Sequence, residues 1–143
     1  ESERRRMVNP RKAYPIDPGL IPMFDRSGRA NQGHALETVV LLELERRGAE
    51  IAYVRTAAGF EVDFLARYPE GGEALIQVCA DLDDPVTWQR ETRALLNAAQ
   101  EYPRATLHLI GLEPDQGAAE LPPGINWSPA TAWLLQDSPL ESG

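Results

Sequence analysis

Lysine is all but missing from this chain. Lys12 is the single example, against thirteen arginines, in 143 residues. Arginine carries charge but does not give up its proton, so chemistry that needs a titrating ammonium group has one residue to draw on. Cysteine is as scarce: Cys79 stands alone, which excludes an internal disulfide. Only two histidines are present, and no Cys/His spacing suits a structural metal, so the cysteine usage fits a reducing, cytoplasmic setting. No apolar run approaches the roughly 18 residues that span a bilayer, and no membrane partner is expected. The start Glu1-Ser2-Glu3-Arg4-Arg5-Arg6 lacks the apolar stretch of a signal peptide. It also lacks an initiating Met, and the chain reads as a piece of a longer protein. No Gly-rich phosphate loop ending in Lys-Ser or Lys-Thr occurs, so this chain does not hydrolyse ATP by that route.

What is present is ordinary in bulk. Apolar residues make up 43% and charged residues 25%, values of a globular protein with one domain and one core. The formal net charge of −8 is unevenly spread. Residues 1–30 hold seven basic groups (Arg4, Arg5, Arg6, Arg11, Lys12, Arg26 and Arg29) and four acidic ones, a balance of +3, which leaves −11 for the remainder. An acidic body disfavours non-specific nucleic-acid binding over the whole surface, because phosphate contacts need local positive potential. The basic beginning reads either as a contact face or as a solvated linker.

The order of elements is legible from periodicity and punctuation. Lys12 to Ile16 reads as a short edge strand, since Pro15 cannot donate to a ladder, and Asp17-Pro18-Gly19 turns the chain. Gln32 to Arg47 is predicted as a helix, with Asn31 or His34 at its start. Leu36, Val40 and Leu44 lie on one face with Val39 beside them, and Gly48 is the stop. Ile51 to Arg55 and Phe60 to Ala66 form a hairpin across Ala57-Ala58-Gly59, and Glu73 to Cys79 is a third strand. Asp84-Pro85 opens a second helix running to about Glu101, with Trp88, Leu95, Leu96 and Ala99 inward. Ala105 to Ile110 is a buried strand containing His108, expected to be structural. A loop from Glu113 to Gly124, a short strand Ile125 to Trp127 and a helix from Ser128-Pro129 through Trp133 and Leu135 complete the order. The sum is an α/β sandwich with a mixed central sheet and an α-β-β-β-α-β core. Its expected bounds are a basic linker at 1–11, a domain at 12–136 and a tail at 137–143.

Within this frame, Glu37 sits on the first helix, Asp63 in the run Gly59-Phe60-Glu61-Val62-Asp63-Phe64, and Gln77 in Leu75-Ile76-Gln77-Val78-Cys79. Strand alternation puts Glu61 and Asp63 on one face, and Gln77 and Cys79 on one face of the next strand. Two carboxylates and an amide oxygen so grouped can hold a hard cation such as Mg²⁺, more weakly than three carboxylates would.

In this order and spacing the chain resembles the PD-(D/E)XK nuclease superfamily, and more narrowly the uncharacterised C-terminal domain behind the ATPase module of many bacterial and archaeal AAA-type ATPases. The phrases that carry the resemblance are Lys12-Ala-Tyr-Pro-Ile-Asp-Pro-Gly-Leu20, Gly33-His-Ala-Leu-Glu37, Tyr53-Val-Arg-Thr56, Glu61-Val-Asp-Phe64, Ile76-Gln-Val-Cys79 and Arg90-Glu91. They extend over roughly residues 9–135. The resemblance implies a restriction-endonuclease-like sandwich. Glu37, Asp63 and Gln77 match the catalytic, metal-binding positions, with the Val78 carbonyl completing the ligand set. Cys79 falls where the family has its lysine.

Two departures bear on activity. Gln77 removes one negative charge from the metal site, and a thiol at Cys79 is never cationic. Losing the group that stabilises charge in the transition state costs about 10²- to 10³-fold, by analogy with an oxyanion donor. Arg90 or Arg93 on the second helix could supply charge but no proton. Read structurally instead, Cys79 is a small buried hydrophobe and Trp88, Trp127 and Trp133 are core anchors.

Three readings follow. The preferred one is a nuclease-like domain without catalysis in isolation, engaging DNA or a partner, with the ATPase module of the same protein as its neighbour and at most weak Mg²⁺ binding. The second is an active Mg²⁺-dependent endonuclease of the junction-resolving kind, and the third a structural or homo-oligomerisation domain.

Overall fold

The computed structural model describes residues 29–80, 85–112 and 121–136. The basic segment Arg4 to Arg6, Lys12 with its edge strand, the turn Asp17-Pro18-Gly19, the cap Asp84, the loop at 113–120 and the tail at 137–143 lie outside the described residues. In chain order the described elements are α1 (Arg29–Arg46), β1 (Glu50–Arg55), β2 (Glu61–Arg67), β3 (Glu73–Val78), α2 (Pro85–Glu101), β4 (Thr106–Gly111), β5 (Ile125–Pro129) and α3 (Ala130–Leu134).

The strands form one five-stranded sheet in sequential order, β1-β2-β3-β4-β5. The first three pair antiparallel through short turns, and β3, β4 and β5 run parallel. α2 is the crossover that parallel pairing of β3 and β4 requires. β3 is the central strand and is buried at every position from Ala74 to Val78, as a strand covered on both faces must be. The architecture is thus α/β with a mixed sheet, as the sequence leads one to expect.

Each face of the sheet has its own core. On one, Leu36, Val40, Leu41 and Leu44 of α1 pack with Phe64, Ile76, Ile110 and Trp133. On the other, Ala94, Leu95 and Ala98 of α2 pack with Val62, Leu65, Leu75 and Leu109. Full burial of each large aliphatic side chain contributes about 1.5–3 kcal/mol, so these stripes, more than intrinsic propensity, fix the helices.

α1 begins at Arg29, so Asn31 lies inside the helix rather than at its cap. His34 is likewise an interior position, where its carbonyl accepts the Thr38 hydroxyl at 3.1 Å. The helix stops at Gly48 as expected. Its φ of 80° lets the Gly48 N–H reach the Glu45 carbonyl and the Ala49 N–H reach the Leu44 carbonyl, both at 3.0 Å.

On α2 the inward face is Thr92, Ala94, Leu95 and Ala98, with Trp88 and Ala99 half-buried beside it. Leu96 is 39% exposed, one residue past the stripe, and does not belong to the core. At the other end of the chain Ser128 and Pro129 extend β5, and α3 starts only at Ala130.

α3 is held to α1 by Arg47. Its guanidinium lies 4.5 Å from the centre of the Trp133 ring, pairs with Glu43 at 2.7 Å, and donates to the Trp133 and Gln136 carbonyls at 2.9 and 3.1 Å.

Candidate functional site

β2 carries one residue more than its partner between two of their pairings. Ala52 stands opposite Leu65, yet Val54 stands opposite Val62, so Asp63 and Phe64 together face Tyr53. This is a β-bulge, and it breaks the alternation that the sequence suggests for this strand. Val62 faces the α2 core while Phe64 faces the α1 core.

The bulge lies where β2 and β3 stop pairing. Their ladder runs from Arg67–Glu73 to Phe64–Ile76. At the next position side chains replace the backbone partners. The Asp63 N–H donates to Gln77 Oε1 at 2.8 Å, Gln77 Nε2 donates to the Glu61 carbonyl at 3.1 Å, and the Val78 N–H donates to Asp63 Oδ2 at 2.9 Å. Gln77 is 2% exposed. Across the cavity it faces Glu91 of α2, whose carboxylate it favours in the charged form.

The hairpin between β1 and β2 is fixed to the same helix. Gly59, at φ 93°, closes the turn with its N–H on the Thr56 carbonyl at 2.9 Å, and the Phe60 N–H meets Thr56 Oγ1 at 3.1 Å. The Ala57 N–H donates to Glu101 Oε2 at 2.9 Å, tying the hairpin tip to the last residue of α2.

Between hairpin and helix lies an open cavity of about 350 Å³. Phe60, Glu61, Asp63, Gln77, Arg90 and Glu91 are among the residues that line it. Asp63 and Gln77 therefore share one site and are not divided between sheet faces. Around it, Arg93 lies 5.7 Å from the Phe60 ring, Arg90 pairs with Glu91 at 3.4 Å, and Arg55 pairs with Glu61 at 3.9 Å.

Burial drives the Asp63 carboxyl well above the usual carboxylate range; the negative charge of Glu37 adds to this, the Val78 hydrogen bond opposes it, and Glu91 and Glu61 contribute further. Glu91 is raised as well, by burial first, with Arg90 opposing and Glu37 adding. Tyr53, opposite the bulge, is raised by burial first, with the nearby Glu61 carboxylate adding. Glu37 is thus electrostatically coupled to the other two acids, although it does not line the cavity. Among the described residues no three His, Cys, Asp or Glu side chains gather closely enough to hold a metal ion.

Cys79 follows β3 half-buried, beside the α2 core, and its N–H donates to the Ile110 carbonyl at 2.9 Å. His108 lies away from the cavity. Its Nε2 is 2.8 Å from the Thr106 hydroxyl, and burial pushes its pKa down to about 4, so it is neutral at physiological pH. Trp133 is core, and Trp88 and Trp127 flank the α2 core, as expected of anchors.

The phrase Arg90-Glu91 in the sequence gives Glu91 no assigned place in the site. The signal was present: Glu91 precedes Ala94, Leu95 and Ala98 at helical spacing, which puts a carboxylate on the buried face. Phe60 and Tyr53 carried no comparable signal, because their relation to the site depends on the hairpin tip and the bulge.

Comparison with protein-family models, with curated proteins and with solved structures gave no match to this chain. Among the described residues no helix is long and apolar enough to cross a membrane.

Proposed function

We propose that this chain is a restriction-endonuclease-like domain of the PD-(D/E)XK kind that keeps the carboxylate positions and lacks catalysis in isolation. In this reading it is a cytoplasmic module that engages DNA or a protein partner beside the ATPase module of an AAA-type ATPase. The observation that carries the proposal is the meeting of Asp63 and Gln77 across the splayed ends of β2 and β3, with Glu37 of α1 in electrostatic reach of Asp63. Cys79 follows directly on the strand that bears Gln77, where a hydrolytic site would need a cation.

Mg²⁺ fits this donor set only loosely. Carboxylates and an amide suit a hard cation, but Gln77 Oε1 and Asp63 Oδ2 already accept backbone N–H groups. Glu37 and Asp63 would hold such an ion, and it would offset their mutual repulsion; weak binding is the consequence. Arg90 lines the cavity, paired with Glu91, and Arg55 and Arg93 contact its lining residues Glu61 and Phe60; these guanidiniums are the positive charge a phosphate backbone would meet, without a titrating proton.

The test is a pair of assays on the chain. Incubation with linear, single-stranded and branched DNA in Mg²⁺ or Mn²⁺ is expected to leave the DNA intact, and fluorescence anisotropy is expected to detect binding that weakens with salt. Metal-dependent cleavage abolished by Asp63→Ala would replace this reading with an active nuclease. Absence of DNA binding would shift the module's partner to protein.

A further inference from the structure

Gln77 uses both ends of its amide in hydrogen bonds to the neighbouring strand. A glutamine amide offers one oxygen and two N–H donors. Here the oxygen accepts from the Asp63 N–H at 2.8 Å and one donor reaches the Glu61 carbonyl at 3.1 Å. Both partners belong to β2, while Gln77 belongs to β3 and is 2% exposed.

We infer that Gln77 is a positioning residue, a buried latch that joins β2 to β3 and thereby sets where Asp63 stands in the cavity. The inference rests on the hydrogen bonds alone and holds whether or not the nuclease-like reading does. Where the β2–β3 ladder ends, the strands would otherwise separate with two partly buried backbone groups unpaired. The Gln77 side chain satisfies both, and its reach sets the strand separation that admits the bulge at Asp63. The return bond from Val78 to Asp63 Oδ2 turns the carboxylate toward β3.

A carboxylate cannot replace this amide. An ionised Glu at position 77 could still accept from Asp63, but it would face the Glu61 carbonyl and the Glu91 carboxylate with no proton to give. The Glu61 carbonyl would then lose its donor and a second negative charge would stand beside Asp63 and Glu91. Glutamine at this position is therefore a fitted part of the present structure, with a role independent of any cation.

Nuclear magnetic resonance on the isotope-labelled chain tests the latch without any substitution. The Gln77 side-chain NH₂ protons are expected to exchange slowly with solvent and the Asp63 amide proton to lie close to the Gln77 side chain. Fast exchange with no such proximity would overturn the inference. As a second measurement, Gln77→Met keeps the volume and removes the bonds. Hydrogen exchange of the Asp63 amide is expected to accelerate about tenfold more than that of Leu109. Equal acceleration at both sites, or none at Asp63, would assign Gln77 a packing role only and refute the latch.

Discussion

The Val78 N–H sits 2.9 Å from Asp63 Oδ2 and draws the Asp63 pKa down against burial and the charges of Glu37, Glu91 and Glu61. The carboxyl is consequently held above its ordinary range in the folded chain. Unfolding releases it to about 3.9. Between that value and the raised folded pKa the native state binds more protons, so stability falls as pH rises through this window. Glu91 acts with the same sign, whereas Glu43, lowered chiefly by its hydrogen bond to Arg46, contributes stability that is lost on acidification.

Asp63→Asn is expected to keep the Val78 bond while removing the buried charge. Its thermal midpoint at neutral pH should rise by several degrees, and the variant should lose the part of the pH dependence assigned to Asp63. Calorimetry across pH 4–8 checks both; a lower midpoint at neutral pH would mean that ionised Asp63 is stabilising.

Restoring the superfamily pattern with Gln77→Glu and Cys79→Lys is expected to give no nuclease activity. The first change leaves the Glu61 carbonyl without its donor and adds a negative charge beside Asp63 and Glu91, at a cost of about 1–3 kcal/mol. The second puts an ammonium group beside the α2 core that Cys79 flanks. Denaturant titration should show both losses, and metal-dependent cleavage by the double variant would refute this account.

Arg47→Ala is expected to cost about 3 kcal/mol, because the guanidinium is 4% exposed and Glu43 would lose a buried partner. Arg47→Lys should recover only a minor part, since an ammonium cannot both stack on Trp133 and reach the Trp133 and Gln136 carbonyls. Fluorescence of Trp133 during urea unfolding provides the measurement.

Gly48→Ala is expected to destabilise by about 1 kcal/mol or more. The residue has φ 80°, and an added Cβ would lie 3.3 Å from Pro69 Cγ. An unchanged urea midpoint would contradict the role assigned to this helix stop.

Much of the fold was legible in the sequence because its signals are local. The 36-40-44 spacing, Gly48, Pro85 and the Ala57-Ala58-Gly59 turn each specify structure within a few residues, and the elements they mark are present. What was not legible depends on a second strand or helix. Alternation cannot reveal an extra residue in β2, since the bulge exists only relative to β1. The bonds of Gln77 depend in the same way on where the β2–β3 ladder ends. Asn31 and Leu96 misled for a simpler reason: a good capping residue or an apolar side chain one position off the stripe looks identical in sequence to a working one.

The change of strand direction at β3 divides the sheet by how it must assemble. Phe64 and Ile76 meet across a short turn, but Ala74 and Thr106 meet only after α2 has been traversed. Closing the longer loop carries the larger entropy cost, and its reward comes later. The β1–β3 meander is therefore expected to act as the nucleus on which α2, β4 and β5 condense. Pulse-labelled refolding should then protect the amides of Leu65 and Leu75 before those of Leu109 and Trp127.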